Sequence, residues 1–313
     1  MQSFLEEVVG NLAKESHSLE NTVFVLPSKR AGNFLINALA NKSKKTFFSP
    51  EVYSIEGFVE KISGISYASN TQQLFELYNV YQKTTKGDVD NFFTFSKWGQ
   101  TLLQDINEID RYLIDANALF SNLSAIQEID HWSVEASKTK MIQDYLDFWK
   151  GLEQLYTNFN AELLKKGLGH QGLVYREACK QLNIYIEANT HKKHVFVGFN
   201  ALNTAESQLI QNILEKTNAD VYWDIDANFL NDSIHDAGLF IRAHQKSWPY
   251  FQNHSLKGIS TYYASKKSIQ IIGVPKNISQ AKYVGKLLKG IHQEDFEALK
   301  TTAVVLADES LLN

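Results

Sequence analysis

Cysteine occurs once in the 313 residues, at Cys179. A single thiol excludes an internal disulfide, a cysteine zinc site and a cysteine-ligated iron–sulfur cluster within this chain, and it fits a reducing cytosol. Proline is scarce as well. Four prolines and a charged share of 21% argue against long disordered linkers. Excess positive charge is missing too, because 31 Lys and Arg stand against 35 Asp and Glu, a net charge of −4. Nothing global draws such a chain to nucleic acid, so a DNA contact has to come from a local patch such as Lys29, Arg30 and the lysines of 42–45. No apolar run approaches membrane-spanning length. The opening MQSFLEEVVGNLAKES puts Phe4, Val8 and Leu12 on one helix face interrupted by acids, without a signal-peptide core. A cytoplasmic protein with no membrane contact is expected.

Signatures of catalysis are also missing. There is no GxxxxGK[ST], so no ATP phosphate cradle can be drawn, and no HExxH, paired CxxC or [DE]-x-K appears. His191 and His194 stand three apart at the start of a strand, where that spacing does not converge on one metal, so a solvated loop is expected. Asp105, Glu108, Asp110 and Asp115 read as the solvated face of one long helix, with Arg111 as partner. Asp224 and Asp226 alternate at a strand end, where capping of the following turn outranks catalysis. Neither a catalytic residue nor a metal or cofactor is predicted.

What is present is an apolar and aromatic content, 44% and 12%, sufficient for a large core. The most informative stretch is Thr22 to Leu39, TVFVLPSKRAGNFLINAL. Val23 to Leu26 form a short run of strand formers that Pro27 stops, and Phe34, Leu35, Ala38 and Leu39 then recur at helical spacing. Ser28 sits where an N-cap belongs. Its helix N-terminus, with Lys29 and Arg30 beside it, suits a phosphate, although a turn of this composition is by itself an ordinary solvated surface.

A second strand is expected over Thr46 to Ser54, interrupted at Pro50, followed by a helix over Ile55 to Ile62. From about Thr71 to Ile186 the strand–helix alternation gives way to long helical segments, whose aromatics at helical spacing read as core. Gly167 to Gly172 (GLGHQG) follows no strand and reads as a turn and C-cap, not a phosphate loop. Alternation resumes with strand HVFVGF at His194, helix Thr204 to Glu215 and strand Asp220 to Ile225. Strand Ser268 to Val274, helix Ile278 to Ile291 and strand Ala303 to Leu306 complete the pattern, while 228–263 is the least patterned part. Two strands and one helix from Ser268 onward make an incomplete sheet, so the chain is expected to continue in a longer protein or to pack this segment on the first sheet.

In the order of its segments the chain resembles the first half of a superfamily I DNA helicase of the UvrD and AddB kind. VFVLPSKRAGNFL is similar to the family's motif Ia, a strand followed by T-N-K-A-A and a helix, whose turn holds the backbone phosphates of single-stranded DNA. SIEGF at Ser54 to Phe58 occupies the place of T-x-H-S-F. VFVGF resembles the strand of motif II, D-E-x-Q-D, with Asn200 at the Gln position. There Val197 replaces the magnesium-binding Asp, Gly198 the water-activating Glu and Ala201 the last Asp. VYWDID is loosely similar to motif III. TAVVLAD looks like the first strand of a second RecA-like domain, with Asp308 in place of an arginine for ATP phosphate.

The resemblance implies an α/β fold with a RecA-like, P-loop NTPase-type parallel sheet that lacks the P-loop and carries a large all-helical insertion. Residues 1–65 and 191–265 would form domain 1A, 66–190 the insertion, and 266–313 the start of a second RecA-like domain. It implies a catalytically inactive helicase-like part of an AddB-type helicase and nuclease subunit in double-strand-break repair and recombination. Such a part would have no ATPase, helicase or nuclease activity of its own, and in the family a PD-(D/E)XK nuclease domain follows at the C-terminal end. Ser28, Lys29, Arg30 and Ser54 would contact single-stranded or unwound DNA, beside a helicase or nuclease partner subunit. The alternatives are a protein-interaction scaffold without DNA binding, which the net negative charge favours, and an α/β enzyme for a phosphorylated ligand, which such a ligand would stabilise against heat.

Overall fold

The computed structural model describes residues 3–14, 19–42, 48–85, 88–130 and 140–312. The chain divides into two compact units, Met1–Ala264 and Ser265–Asn313. The larger unit opens with helix α1 (Phe4–Leu12), started by Ser3, whose side chain and that of Glu6 cap each other's backbone N–H groups. Strand β1 (Thr22–Leu26), helix α2 (Lys29–Lys42), strand β2 (Glu51–Ser54) and helix α3 (Ile55–Ser63) follow. The expected second strand is shorter than its apolar run. Residues 48–50 lie outside the ladder, with Pro50, which has no N–H to give, just before it, and 46–47 fall outside the described residues.

A two-residue strand β3 (Ser66–Tyr67) then leads into helices α4 (Asn70–Thr84), α5 (Phe92–Arg111), α6 (Ala116–Asp130) and α7 (Lys140–Lys165). Strand β4 (Leu168–Gly169) closes this excursion by pairing in parallel with β3, Ser66 against Leu168 and Tyr67 against Gly169. The helices have a core of their own, in which Leu77, Phe95, Ile106, Phe159 and Leu163 are buried together. Helix α8 (Gln171–Ala188) returns the chain to the sheet, lying against α3 on one side and α5 on the other. Gly172 makes the second contact possible, since a Cβ there would come 2.2 Å from the Asn107 carbonyl oxygen of α5.

Strand β5 (Lys193–Val197), helix α9 (Thr204–Lys216) and strand β6 (Ala219–Asp226) restore the alternation. Helices α10 (Ala227–Asn231) and α11 (Leu239–Ser247) and strand β7 (Lys257–Ser260) occupy the stretch with little sequence pattern. The five main strands form one sheet in the order β2-β1-β5-β6-β7, and every pair is parallel. This is an α/β fold with both sheet faces covered. Val23, Val25, Phe196, Val221 and Trp223 face the side of α3, α8 and α9, while Phe24, Leu26, Val195, Val197 and Tyr222 face α1 and α2. Burial on both faces is why β1 and β5 read as unbroken apolar runs.

Two assignments of solvated residues are corrected. Asp110 is fully buried, 0% exposed, at the end of α5. His194 is also 0% exposed, because it lies inside β5 and not in the loop before it, and its Nε2 is 2.9 Å from the Tyr185 hydroxyl.

The smaller unit contains helix α12 (Asn277–Glu294), longer than expected at both ends. Neither Ser268–Val274 nor Ala303–Leu306 joins a ladder. A strand is secured by a neighbour that satisfies its N–H and C=O groups, and no sheet forms among the described residues of this unit, so Ile269, Ile271 and Val305 stay exposed.

Candidate functional site

The sheet reverses its winding between β1 and β5. From β1 the chain steps outward to β2 through α2 on one face, and it later returns to β5, whose following helix α9 lies on the other face. In open α/β sheets the carboxyl edge at such a reversal is where ligands sit. The turns that meet there are Pro27–Ser28 after β1 and Gly198–Asn200 after β5, with Ser54 at the end of β2 beside Leu26.

Two of these turns open helices in the same way. Ser28 Oγ accepts the Ala31 N–H at 3.2 Å, and Ser54 Oγ accepts the Gly57 N–H at 3.2 Å. Each serine thus satisfies one orphan donor of a first turn, and the first turn of α3 also carries the exposed Glu56. Ser54 is buried, whereas Ser28, Lys29 and Arg30 are exposed. Gly32 allows α2 to lie close to β2, since a Cβ there would come 3.2 Å from Val52 Cγ1.

The electrostatics of the two sheet edges differ. At the amino edge cations are neutralised: Lys61 and Lys192 reach Glu51 at 2.5 and 2.6 Å, and Lys193 and Lys257 reach Asp220 at 2.9 and 2.5 Å. Burial alone would raise the Glu51 carboxyl, but the hydrogen bonds from Lys192, Lys61 and Tyr53 outweigh it and bring it to about 2. At the carboxyl edge neither Lys29 nor Arg30 has a carboxylate partner among the described residues, and the Arg30 guanidinium lies 5.8 Å from the Phe34 ring centre. Lys42 is partly engaged, donating to the Glu6 carbonyl at 2.9 Å, and Lys44 and Lys45 fall outside the described residues.

The turn after β5 has no acid to offer. The Val197 side chain is buried in the core with α1 and α2, Gly198 takes φ 74° while its N–H donates to the Tyr222 carbonyl at 2.9 Å, and Asn200 and Ala201 are exposed. The Phe4 ring fits against this turn, since a Cβ on Gly198 would come 3.6 Å from it and one on Gly258 2.9 Å. No protein-family model matches this chain, and no curated protein does either.

The other acids are engaged elsewhere. Asp226 accepts the Asn228 and Tyr263 N–H groups at 2.9 and 2.8 Å and the Ser260 hydroxyl at 3.1 Å, so it caps α10 and ties down β7. Those backbone bonds lower its pKa. Asp224 is exposed and raised, by desolvation first and then by Glu7. Asp308, in the smaller unit, accepts the Ser310 N–H at 3.0 Å. No group of three His, Cys, Asp or Glu that could hold a metal occurs among the described residues. Burial pushes the Cys179 thiol up to about 12, which keeps it protonated and unreactive.

Sequence reasoning missed one buried constellation. Asp110 receives the Tyr156 hydroxyl at 2.5 Å, Arg176 Nε at 2.6 Å and Asn160 Nδ2 at 3.1 Å, and His170 Nε2 lies 3.3 Å away. His170 also caps α8, its Nδ1 accepting the Leu173 N–H at 3.2 Å, which leaves the ring proton on Nε2. Burial alone would raise the Asp110 carboxyl, but hydrogen bonds from His170 and Tyr156 and the Arg176 charge outweigh it and hold it below the usual range. Every member is tied to another, and the cluster fastens α5, α7 and α8 together. The signal was a His in a glycine-rich turn, which carries no hint of a carboxylate sixty residues upstream.

Proposed function

We propose that this chain is a helicase-like, catalytically inactive RecA-type domain with a helical insertion, acting in the cytosol within an AddB-like repair and recombination protein, where it guides single-stranded DNA beside a partner subunit. The observation that carries the reading is the pair of serine-capped helix N-termini on the ends of adjacent strands, flanked by Lys29 and Arg30 without carboxylate partners among the described residues. Outward N–H groups and unneutralised cations suit the non-bridging oxygens of successive phosphates. In this reading Ser28 and Ser54 present those groups, and Lys29 and Arg30 supply the charge. The apolar Val197 and the glycine at 198 support the inactive half of the reading, because a magnesium-bound nucleotide needs carboxylates at that turn.

A fluorescence anisotropy titration with a labelled mixed-sequence oligonucleotide at low salt tests it. Saturable binding is expected, weakened about tenfold or more in Lys29→Ala plus Arg30→Ala, as the loss of two phosphate contacts implies. Unchanged affinity in the double variant removes the assignment. A rise in melting temperature with magnesium and ATP removes the inactive half.

A further inference from the structure

Between the first turn of α4, the middle of α5 and the start of α8 lies a cavity of about 590 Å³, within the size range of small-ligand sites. Its lining contains no Asp, Glu, Lys, Arg or His. A phosphate or carboxylate ligand would find no countercharge there. Amides dominate instead, and three of them are fixed in orientation. Asn107 Oδ1 accepts the Gly172 N–H at 2.7 Å, Gln73 Nε2 donates to the Ala68 carbonyl at 2.7 Å, and Gln171 Nε2 donates to Glu56 at 3.4 Å. Each therefore presents its other end, a donor from Asn107 and acceptors from Gln73 and Gln171. Gln100 and Gln104, one turn apart on α5, also line the cavity and have no side-chain hydrogen-bond partner among the described residues.

One wall is aromatic. Phe75, 50% exposed, is stacked on Phe92 with ring centres 4.8 Å apart and planes within 6°. An exposed ring with a second ring behind it offers a flat face for another flat group. Neutral lining, donors and acceptors and a stacking face together suit the edge and face of a nucleobase, which an amide with both ends free, as at Gln100 or Gln104, reads bidentately. The location agrees, because Gln171 hydrogen-bonds Glu56, two residues beyond the Ser54 cap at the sheet edge.

We infer that this amide-lined cavity receives a base of the single strand whose backbone lies on the Ser28 and Ser54 edge. The inference rests on the DNA-binding reading and adds to it a contact with base identity. Two measurements separate them. In the first, a normal oligonucleotide and one of equal length with abasic sites are titrated against wild type, Phe75→Ala and Gln100→Ala plus Gln104→Ala, all three first checked for equal melting temperature. The expected result is at least fivefold tighter binding of the normal strand by wild type, a difference both variants erase while the abasic affinity stays unchanged. Equal affinity for the two strands in wild type overturns the inference and leaves the edge reading standing. In the second, the four free deoxynucleosides are added to wild type and Phe75→Ala and followed by saturation-transfer NMR. Transfer to a base in wild type, lost in the variant, is expected; absence of transfer for all four overturns the cavity assignment, whether or not oligonucleotides bind.

Discussion

Asp110 owes its charge to what surrounds it. Removing the carboxylate leaves the Arg176 guanidinium without its ion-pair partner and frees the Tyr156, Asn160 and His170 donors in the core. Asp110→Ala is therefore expected to cost about 3–5 kcal/mol by urea denaturation, and a loss under 1 kcal/mol would show that the cluster is dispensable. His194 makes a second prediction with a definite sign. Burial, then the Lys192 charge, lowers it from 6.5 to about 4, so the unfolded chain takes up a proton that the folded one refuses. Its contribution is complete above pH 6.5 and is lost as pH falls from 6.5 to 4, on the order of 3 kcal/mol. Stability measured across that window should slope in the wild type, and much of the slope should vanish in His194→Gln. Neither setting was legible from neighbouring residues. Asp110 looks like one more acid in DINEID, and its burial is decided by Arg176 and His170, which only tertiary packing brings to it.

The elements were more legible than the residues. β1, α2, α3, α9 and β6 lie close to where the apolar period, the Ser28 cap and Pro27 put them, because these are local signals. β7 was missed because KGIS has only one apolar residue, and Ser268–Val274 was overpredicted because an apolar alternation does not make a strand without a neighbour to bond. Contacts between elements yield sharper tests. Gly172→Ala forces a methyl group toward the Asn107 carbonyl, so α5 and α8 must part, and a loss of about 1–3 kcal/mol or more is expected in chemical denaturation. A neutral result would mean that this close approach is not required. Ser54→Ala removes the cap of α3 and should cost about 1 kcal/mol, with a further loss of oligonucleotide affinity if its first turn faces phosphate.

For the molecule as a whole, an acidic net charge and the proposed DNA-binding role are reconciled by distribution. The lysines of the amino edge are engaged by Glu51 and Asp220, while at the carboxyl edge the opening of α2 keeps two cations and that of α3 carries Glu56. A parallel sheet was foreseeable from the strand–helix alternation, and the candidate edge from a serine and two cations after a strand. The second cap at Ser54 gains its meaning only from register, since β2 lies against β1 and brings that serine beside Leu26. The most direct test is the salt dependence of oligonucleotide binding. Log affinity against log salt concentration should fall linearly, by about 0.7 for each phosphate neutralised, and Lys29→Ala plus Arg30→Ala should flatten the slope by about 1.4. A slope equal in wild type and variant, or no dependence on salt at all, would contradict the account.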